Sequence, residues 1–527
     1  MHRTSFKNHL SILQKTTARQ CFINLSVLTL FLFALFLAVG VTRTATISIP
    51  TTTTDFAAID AYVEIQIHEQ RIPGLALGIV HGDQIVHLKG FGVAAPNREP
   101  MTGQTPLSIG SLTKSFTAVA IMQLVEAGEL DLDAPVQRYL PWFRVADQEI
   151  STRITLRRLL NHSSGLPRDF EPNQDSKELE ERLRNLSTTQ LEQAIDTYGY
   201  SNVGYQVLAA IIQEVTGQSY EDYVRKHIFV PLEMHQSFAT VSEAAQEHRV
   251  TGYNYWFGLP VASELPPYQT GPGNGGLFSS AEDMSHYLIT HLNQGHFETV
   301  TLLSPAGIAE VHRPVTPRPD GAYAMGWGVQ TVDGVTFLSH SGQTYNYMAK
   351  MILMPNSEWG VVILQNSQYT VKLMTGNHTQ DTIADGVANI LINHQPPSQT
   401  HPSETFLAAY GVLALIIGIQ FMGIIRSWAM LRRWQLPEYR PHGKRKLLWH
   451  IVVPLTLDLG WAMLILIGLP MTNNLTKLAY QIPDFTYTLL ASGATALGWG
   501  ITRTIWAYSI LHRPGAANSN GMPNMES

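Results

Sequence analysis

The apolar residues of this chain fall into two kinds of pattern. In residues 22–41, 406–425, 447–470 and 485–502 they run on with neither a helical nor a strand period. His450 and Asp458 interrupt the third stretch, and the others are uncharged. Each stretch is close to the roughly 20 residues a helix needs to cross a hydrocarbon layer. Soluble helices are seldom apolar on every face for so long. The pattern predicts transmembrane helices, one near the N-terminus and three over residues 406–511. Between them, residues 55–397 show periodic patterns, as a folded domain does. Residues 51–54 read as a linker and 56–69 as a helix. Residues 75–80 and 85–89, joined by Gly82-Asp83, read as a hairpin. Residues 322–331, 335–339, 347–354 and 360–365 read as strands, with turns at Asp333-Gly334 and Pro355-Asn356. Residues 384–393 close the domain as a helix, and the middle, roughly 113–295, is mostly helical. Strands at both ends of a helical middle predict an α+β fold. One antiparallel sheet, flanked by helices, is built from the two ends. An all-helical subdomain is inserted between them, with a cleft at the junction.

Flanking charge sets the orientation. Arg3, Lys7, Lys15 and Arg19 precede residue 22, with no acid among them. Between the second and third apolar stretches lie Arg426, Arg432, Arg433, Arg440, Lys444, Arg445 and Lys446 against Glu438, whereas Lys477 is the only basic residue between the third and fourth. Basic loops stay inside. Residues 1–21 and the tail 512–527 are then cytoplasmic, and 55–397 face outward from the cell membrane as part of a multi-pass protein. Residues 22–41 read as an uncleaved anchor, with a cleaved signal peptide as the alternative.

Charged residues make up only 14% of the 527, against 45% hydrophobic, which fits a chain partly in lipid. The net charge of −6 argues against nucleic-acid binding. One cysteine, Cys21, leaves no internal disulfide framework. No His-Glu-x-x-His pattern occurs, and His286 and His291 are five apart on a helical stretch, so no metal site is predicted. No phosphate-binding glycine loop is present. Trp142, Tyr253, Tyr255 and Trp256 read as core or cleft lining. Asp458, an acid within an apolar span, calls for a partner such as Arg503 or His450.

Ser111 and Lys114, three residues apart at the start of a helix, share one face. An amine beside a hydroxyl at a helix N-terminus favours a nucleophilic serine. Tyr200-Ser201-Asn202 precedes a helical run. Its tyrosine could take a proton, and its amide could hold a substrate amide. His340-Ser341-Gly342-Gln343 follows the strand at 335–339, where a glycine admits a ligand close to the backbone and the next N–H can serve an oxyanion.

The order Ser-x-x-Lys, Tyr-Ser-Asn, His-Ser-Gly resembles the penicillin-binding-protein and class C β-lactamase family of serine hydrolases. So do Leu159-Leu160-Asn161-His162-Ser163-Ser164-Gly165-Leu166-Pro167 and the phrase from Gly275-Gly276-Leu277-Phe278 to Met284. The resemblance covers about residues 55–395 and implies a β-lactamase/transpeptidase-like fold. It implies that Ser111 is the nucleophile, that Lys114 lowers its pKa or relays its proton, and that Tyr200 is the partner base. It gives Asn202 a substrate-amide contact, and places an oxyanion hole at the N–H groups of Ser111 and Gln343, in the His340, Ser341, Gly342 and Gln343 segment. His340 stands where β-lactamases usually carry lysine, which weighs against efficient β-lactam hydrolysis and leaves acyl transfer intact. The expected substrates are a small D-amino-acid-containing peptide, a β-lactam or an ester, with membrane lipid as surroundings and without cofactor. A sensor that acylates without fast turnover and a binding scaffold that does not react are the rival expectations.

Overall fold

The computed structural model describes residues 56–97, 99–170, 178–247, 251–263, 271–368, 379–393, 404–471 and 475–512. The apolar stretch at 22–41, the segment before it, the linker at 51–54 and the tail beyond 512 lie outside them. The first helix, α1 (Phe56–Gln70), leads into the hairpin of β1 (Gly74–His81) and β2 (Gln84–Gly92), whose two-residue turn is Gly82-Asp83. The other sheet strands come late in the chain: β5 (Thr316–Arg318), β6 (Gly321–Tyr323), β7 (Gly328–Val332), β8 (Val335–Gln343), β9 (Met348–Met354) and β10 (Trp359–Gln365). Between the two groups lie α2 (Thr113–Glu126), α3 (Asn202–Thr216), a second hairpin of β3 (Gly252–Trp256) and β4 (Leu259–Ser263), and α4 (Ala281–Leu292). The eight-stranded sheet has the order β2-β1-β10-β9-β8-β7-β6-β5 and is antiparallel throughout. One sheet made from both chain ends is the predicted α+β architecture.

Both sheet faces are covered, which is why β1 and β9 read as nearly unbroken apolar runs. Gly78, Val362, Met351 and His340 stand side by side across four strands and face α4 and the helical subdomain. Lys350 and Ser341 face the other way, onto α5 (Thr379–Leu391) and through it α1. Four expectations shift. The strand expected over 322–331 is two strands, because Ala324–Trp327 turns with Gly326 at φ 79 and packs on the start of α2. The strand expected to end at 339 runs to Gln343, and α5 begins earlier than residue 384. The middle contains the β3–β4 hairpin, which pairs in parallel with a short strand β11 (Ser367–Gln368).

The C-terminal part is a helical bundle of α6 (Glu404–Trp434), α7 (Lys444–Met471), α8 (Leu475–Gln481) and α9 (Pro483–Leu511). The 31 residues of α6 reach about 46 Å at 1.5 Å per residue, enough to cross a bilayer. Tyr410–Trp434 and Lys444–Met471 are long and apolar enough to span, and only 11% of each apolar window is buried. Leu415, Leu457 and Met463 are more than 60% exposed, a surface that suits hydrocarbon and not water. The third long helix, α9, is less apolar because it packs against both α6 and α7. Its buried face carries Ser492, Gly493, Ala496 and Gly500, and such small residues let neighbouring helices approach closely. Within the bundle Asp458 finds its partner in Arg503 at 2.8 Å, and Ser492 Oγ donates to Gln420 Oε1 at 2.8 Å. Asp458→Leu should lower the melting temperature in detergent, by the equivalent of about 3 kcal/mol, since it strands a buried guanidinium. Adding Arg503→Met should restore most of the loss. Equal damage from the double variant would show that the pair itself holds the bundle.

Candidate active site

Ser111 lies in a single 3₁₀ turn, Gly110–Leu112, that runs directly into α2. Two glycines lay this turn on the end of β8. Gly110 sits at φ 51, and a Cβ on it would overlap the backbone of Gln343. A Cβ on Gly342 would overlap the carbonyl oxygen of Ile109 and lie 2.8 Å from Leu112 Cδ1. The backbone beside Ser111 is thereby brought against that of Gln343. From Thr113 to Met122 every residue of α2 is buried, so the turn has a rigid support.

Lys114 is fully buried, with Nζ 3.1 Å from Ser111 Oγ, 2.7 Å from Asn202 Oδ1 and 2.7 Å from the carbonyl oxygen of Asn274. Among the described residues no carboxylate forms an ion pair with it. Burial, and next the neighbouring Arg168 charge, hold its pKa well below the ordinary lysine value, with Asp169 opposing weakly. A neutral amine has two N–H bonds and one lone pair. In the neutral form the two oxygens at 2.7 Å would engage both N–H bonds and leave the lone pair toward the Ser111 hydroxyl.

Tyr200 stands on the other side of Ser111. Its ring centroid is 4.8 Å from Lys114 Nζ and 4.3 Å from the His162 ring, and the Arg168 guanidinium lies 5.0 Å above it. Burial raises the phenol pKa, and a hydrogen bond with Ser111 opposes the rise. The phenol stays protonated at neutral pH and can pass a proton along. Ser201 fixes this tyrosine by capping α3: its Oγ accepts from the Gly204 N–H at 2.9 Å and donates to the Pro167 carbonyl at 2.7 Å. Asn202, the first residue of α3, donates through Nδ2 to Asp169 Oδ1 at 2.7 Å while its Oδ1 holds Lys114.

The expected His340 to Gln343 segment is split by strand alternation. His340 faces the cleft. Its Nδ1–H donates to the Ser341 carbonyl at 2.8 Å, which leaves Nε2 to accept from Tyr323 OH at 2.9 Å. Burial lowers its pKa to about 3, so it is a neutral ring and supplies no cation. Ser341 points to the opposite face, where Oγ donates to Asp381 Oδ1 at 2.6 Å beside Lys350. Its hydroxyl therefore does not belong to the substrate-contact set, because β8 does not end at 339 and its alternation continues through 343. Gly342 and Gln343 contribute through the backbone.

Several residues around the site carry no signal of their own in the sequence. His162 sits within the Leu159-to-Pro167 phrase, and its ring is surrounded by Tyr198, Tyr200, Tyr205 and Tyr323 while Nδ1 accepts from the Ser201 N–H at 3.1 Å. Asn274 contributes only a carbonyl oxygen, which no side-chain pattern encodes. Arg168 and Asp169 act from a loop. Of the aromatics read as core or cleft lining, Tyr253 and Tyr255 are buried, Trp142 packs under Arg184 at 4.5 Å, and Trp256 stacks on Tyr487.

Four histidines are held neutral by burial: His162, His291, His312 and His340. Burial lowers His312 to about 4 and pushes His162 and His291 well below the ordinary imidazole value. His291 Nδ1 and His312 Nε2 are 2.9 Å apart, room for one shared hydrogen and no charge. Each folded pKa lies below the unfolded value of about 6.5. Below that pH the unfolded chain binds protons that the folded one refuses, so stability falls as pH falls. A thermal melt should drop steadily between about pH 7 and pH 5, and His340→Gln should flatten the slope. A flat wild-type profile would show that these rings titrate normally.

The family described as Beta-lactamase matches residues 57–385. Protein flp of Staphylococcus aureus (strain MW2) is 27% identical over 331 residues, 61% of this chain and 66% of that protein's own length, a little under two thirds. Penicillin-binding protein 4 of Amycolatopsis lactamdurans is 30% identical over 336 residues, 60% of this chain and 82% of that protein. The octameric penicillin-binding protein homologue from Pyrococcus abyssi superposes with a TM-score of 0.56 at 27% identity, covering 65% of this chain and 79% of that one. A Ser-x-x-Lys turn laid on the edge of an antiparallel sheet, matched over the whole of that sheet and its helical insert, makes this chain a member of the serine β-lactamase and penicillin-binding-protein family.

Proposed function

We propose that the protein is a membrane-anchored, extracytoplasmic serine hydrolase that cleaves an amide or ester through an acyl group on Ser111. The observation that carries this reading is the fully buried Lys114, its Nζ 3.1 Å from Ser111 Oγ and 2.7 Å from the oxygens of Asn202 and Asn274. In the first step Ser111 Oγ bonds to the substrate carbonyl carbon and its proton passes to Lys114. The carbonyl oxygen gains the negative charge beside the N–H groups of Ser111 and Gln343. The bond to the leaving nitrogen or oxygen then breaks as Tyr200 relays the proton to it. Water repeats the sequence on the acyl-enzyme and releases the acid.

The neutral His340 bears on the substrate. A lysine there would attract a carboxylate, and a ring with a pKa lowered to about 3 does not. This favours amides and simple esters that carry no carboxylate beside the scissile bond over β-lactams. The membrane reading rests on α6 and α7, and on the basic residues Arg432, Arg433, Lys444, Arg445 and Lys446 gathered where these two helices meet. That end is cytoplasmic in this reading, and the sheet domain lies outside.

A side-by-side assay with a D-Ala-D-Ala peptide, nitrocefin and a p-nitrophenyl ester tests the reaction. Repeated turnover of the peptide or the ester, absent in Ser111→Ala, is the expected result. A single stoichiometric burst would make the protein a sensor, and turnover surviving in Ser111→Ala would remove the hydrolase reading.

A further inference from the structure

Among the described residues, the β3–β4 hairpin makes most of the named contacts between the outer end of the helical bundle and the catalytic domain, and it adjoins the Gln343 end of β8. Asn254 Nδ2 donates to the carbonyl oxygen of Tyr480 in α8. The Phe257 N–H donates to Asp484 Oδ2 at 2.8 Å at the start of α9, and Tyr410 OH near the start of α6 donates to the same oxygen. Tyr255 packs with Tyr410 and Leu413, and the Trp256 and Tyr487 rings stack with centroids 5.7 Å apart. Tyrosine and tryptophan collect at the boundary between headgroups and hydrocarbon, where one end of the ring is wet and the other dry. This collar of aromatics sits at one end of the bundle, opposite the basic residues between α6 and α7.

The hairpin tip is apolar and open. Phe257 and Leu259 are each 57% exposed and Val261 43%, around a turn in which Phe257 and Gly258 both have positive φ. Such a patch, rimmed by the starts of α6 and α9, has a ready occupant in the lipid surface continuous with α6.

The same region borders the reaction centre. Gln343 begins the loop to β9, and two residues later the Tyr345 ring lies 6.1 Å from that of Tyr480. Two residues and one ring contact therefore link the Gln343 end of β8 to α8. Gln368 of β11, its amide turned to suit its neighbours, accepts from Gln343 Nε2 at 2.9 Å and donates to the Tyr345 carbonyl at 2.9 Å, and β11 pairs directly with β3 at Asn254. Asn346 Nδ2 donates to the Ser263 carbonyl at 2.7 Å and ties the far end of β4 to the same loop. One wall of the site is thus built from segments that rest on the bundle.

From this juxtaposition we propose that the enzyme works at the bilayer surface on an acyl donor carried by a membrane amphiphile. The β3–β4 tip dips into the headgroup layer beside the spans, and the donor reaches Ser111 without leaving the lipid. The proposal rests on the hydrolase and membrane readings above and narrows their substrate class. The bonds made and broken are those of the acyl transfer already described. A substrate dissolved in water has no such advantage.

The full chain reconstituted in phospholipid vesicles would be assayed with two p-nitrophenyl esters, the water-soluble acetate and the membrane-partitioned palmitate, alongside Ser111→Ala. The expected result is a kcat/KM for the vesicle-borne ester at least about tenfold above that for the acetate, since partitioning confines the donor beside the site. The double substitution Phe257→Asp and Leu259→Asp should remove that advantage and leave acetate turnover, which also reports folding, unchanged. Ser111-dependent turnover with no preference for the palmitate would overturn this proposal and leave the hydrolase reading standing. A preference that survives in the double variant would overturn it equally. Turnover of neither ester would end both.

Discussion

Lys114→Met should lower kcat/KM for any substrate of this protein by between about a hundredfold and ten-thousandfold, the range over which a positioned general base acts. Methionine matches the buried stem of the lysine and removes only the amine. The oxygens of Asn202 and Asn274 then lose a partner, at a cost of about 1–3 kcal/mol that a folded domain of this size can bear. A melting curve run beside the kinetics separates the two effects. The wild-type pH profile carries the complementary sign. Because burial holds the amine pKa down, the acid limb should lie well below the ordinary lysine value of about 10.4, with activity rising as pH rises through it. A limb centred at or above that value would place Lys114 in water and remove it as the base.

Gly342→Ala should be nearly as damaging, for a steric reason. The added methyl would overlap the carbonyl of Ile109 and press on Leu112, so the turn that carries Ser111 must lift from β8. The Ser111 and Gln343 nitrogens, the oxyanion donors of the proposed mechanism, would then move apart. Loss of an oxyanion donor costs about a hundredfold to a thousandfold in kcat. Gly204→Ala in α3 is the control, since its Cβ would meet Leu159 Cδ2 at an ordinary 3.5 Å. It should leave activity unchanged and add up to about 1 kcal/mol of helix stability. Wild-type turnover in Gly342→Ala would show that the turn has room and that the close approach is not required.

What can be read from the sequence follows the range of each interaction. The β1–β2 hairpin is legible because its alternation and the Gly82-Asp83 turn are local. The apolar C-terminal stretches are legible because hydrocarbon imposes its own length. Ser111 and Lys114 are legible as a pair because one helical turn joins them. The partners that complete the site are distant in sequence, Asn274 lying 160 residues beyond Lys114 and Gln343 farther still, and Asn274 supplies a backbone oxygen that any residue type could offer. Ser341 is misplaced when β8 is taken to end at 339, because the true end decides which side chains alternate toward the cleft. The β3–β4 hairpin is hidden within the helical middle. Tyr253, Tyr255 and Trp256 form a nearly continuous aromatic run, in which Tyr255 packs on Tyr410 of α6 and Trp256 on Tyr487 of α9. The lower apolar content of the 485–502 stretch is explained by the position of α9 between two neighbours.

Acyl transfer at Ser111 is tested most simply by mapping where a covalent label lands. The full chain would be exposed to a fluorophosphonate, digested and analysed by mass spectrometry. One adduct on the peptide that contains Ser111, absent in Ser111→Ala and formed much more slowly in Lys114→Met, is the predicted result. An adduct on another residue, or labelling of Ser111→Ala at the wild-type rate, would rule out Ser111 as the nucleophile.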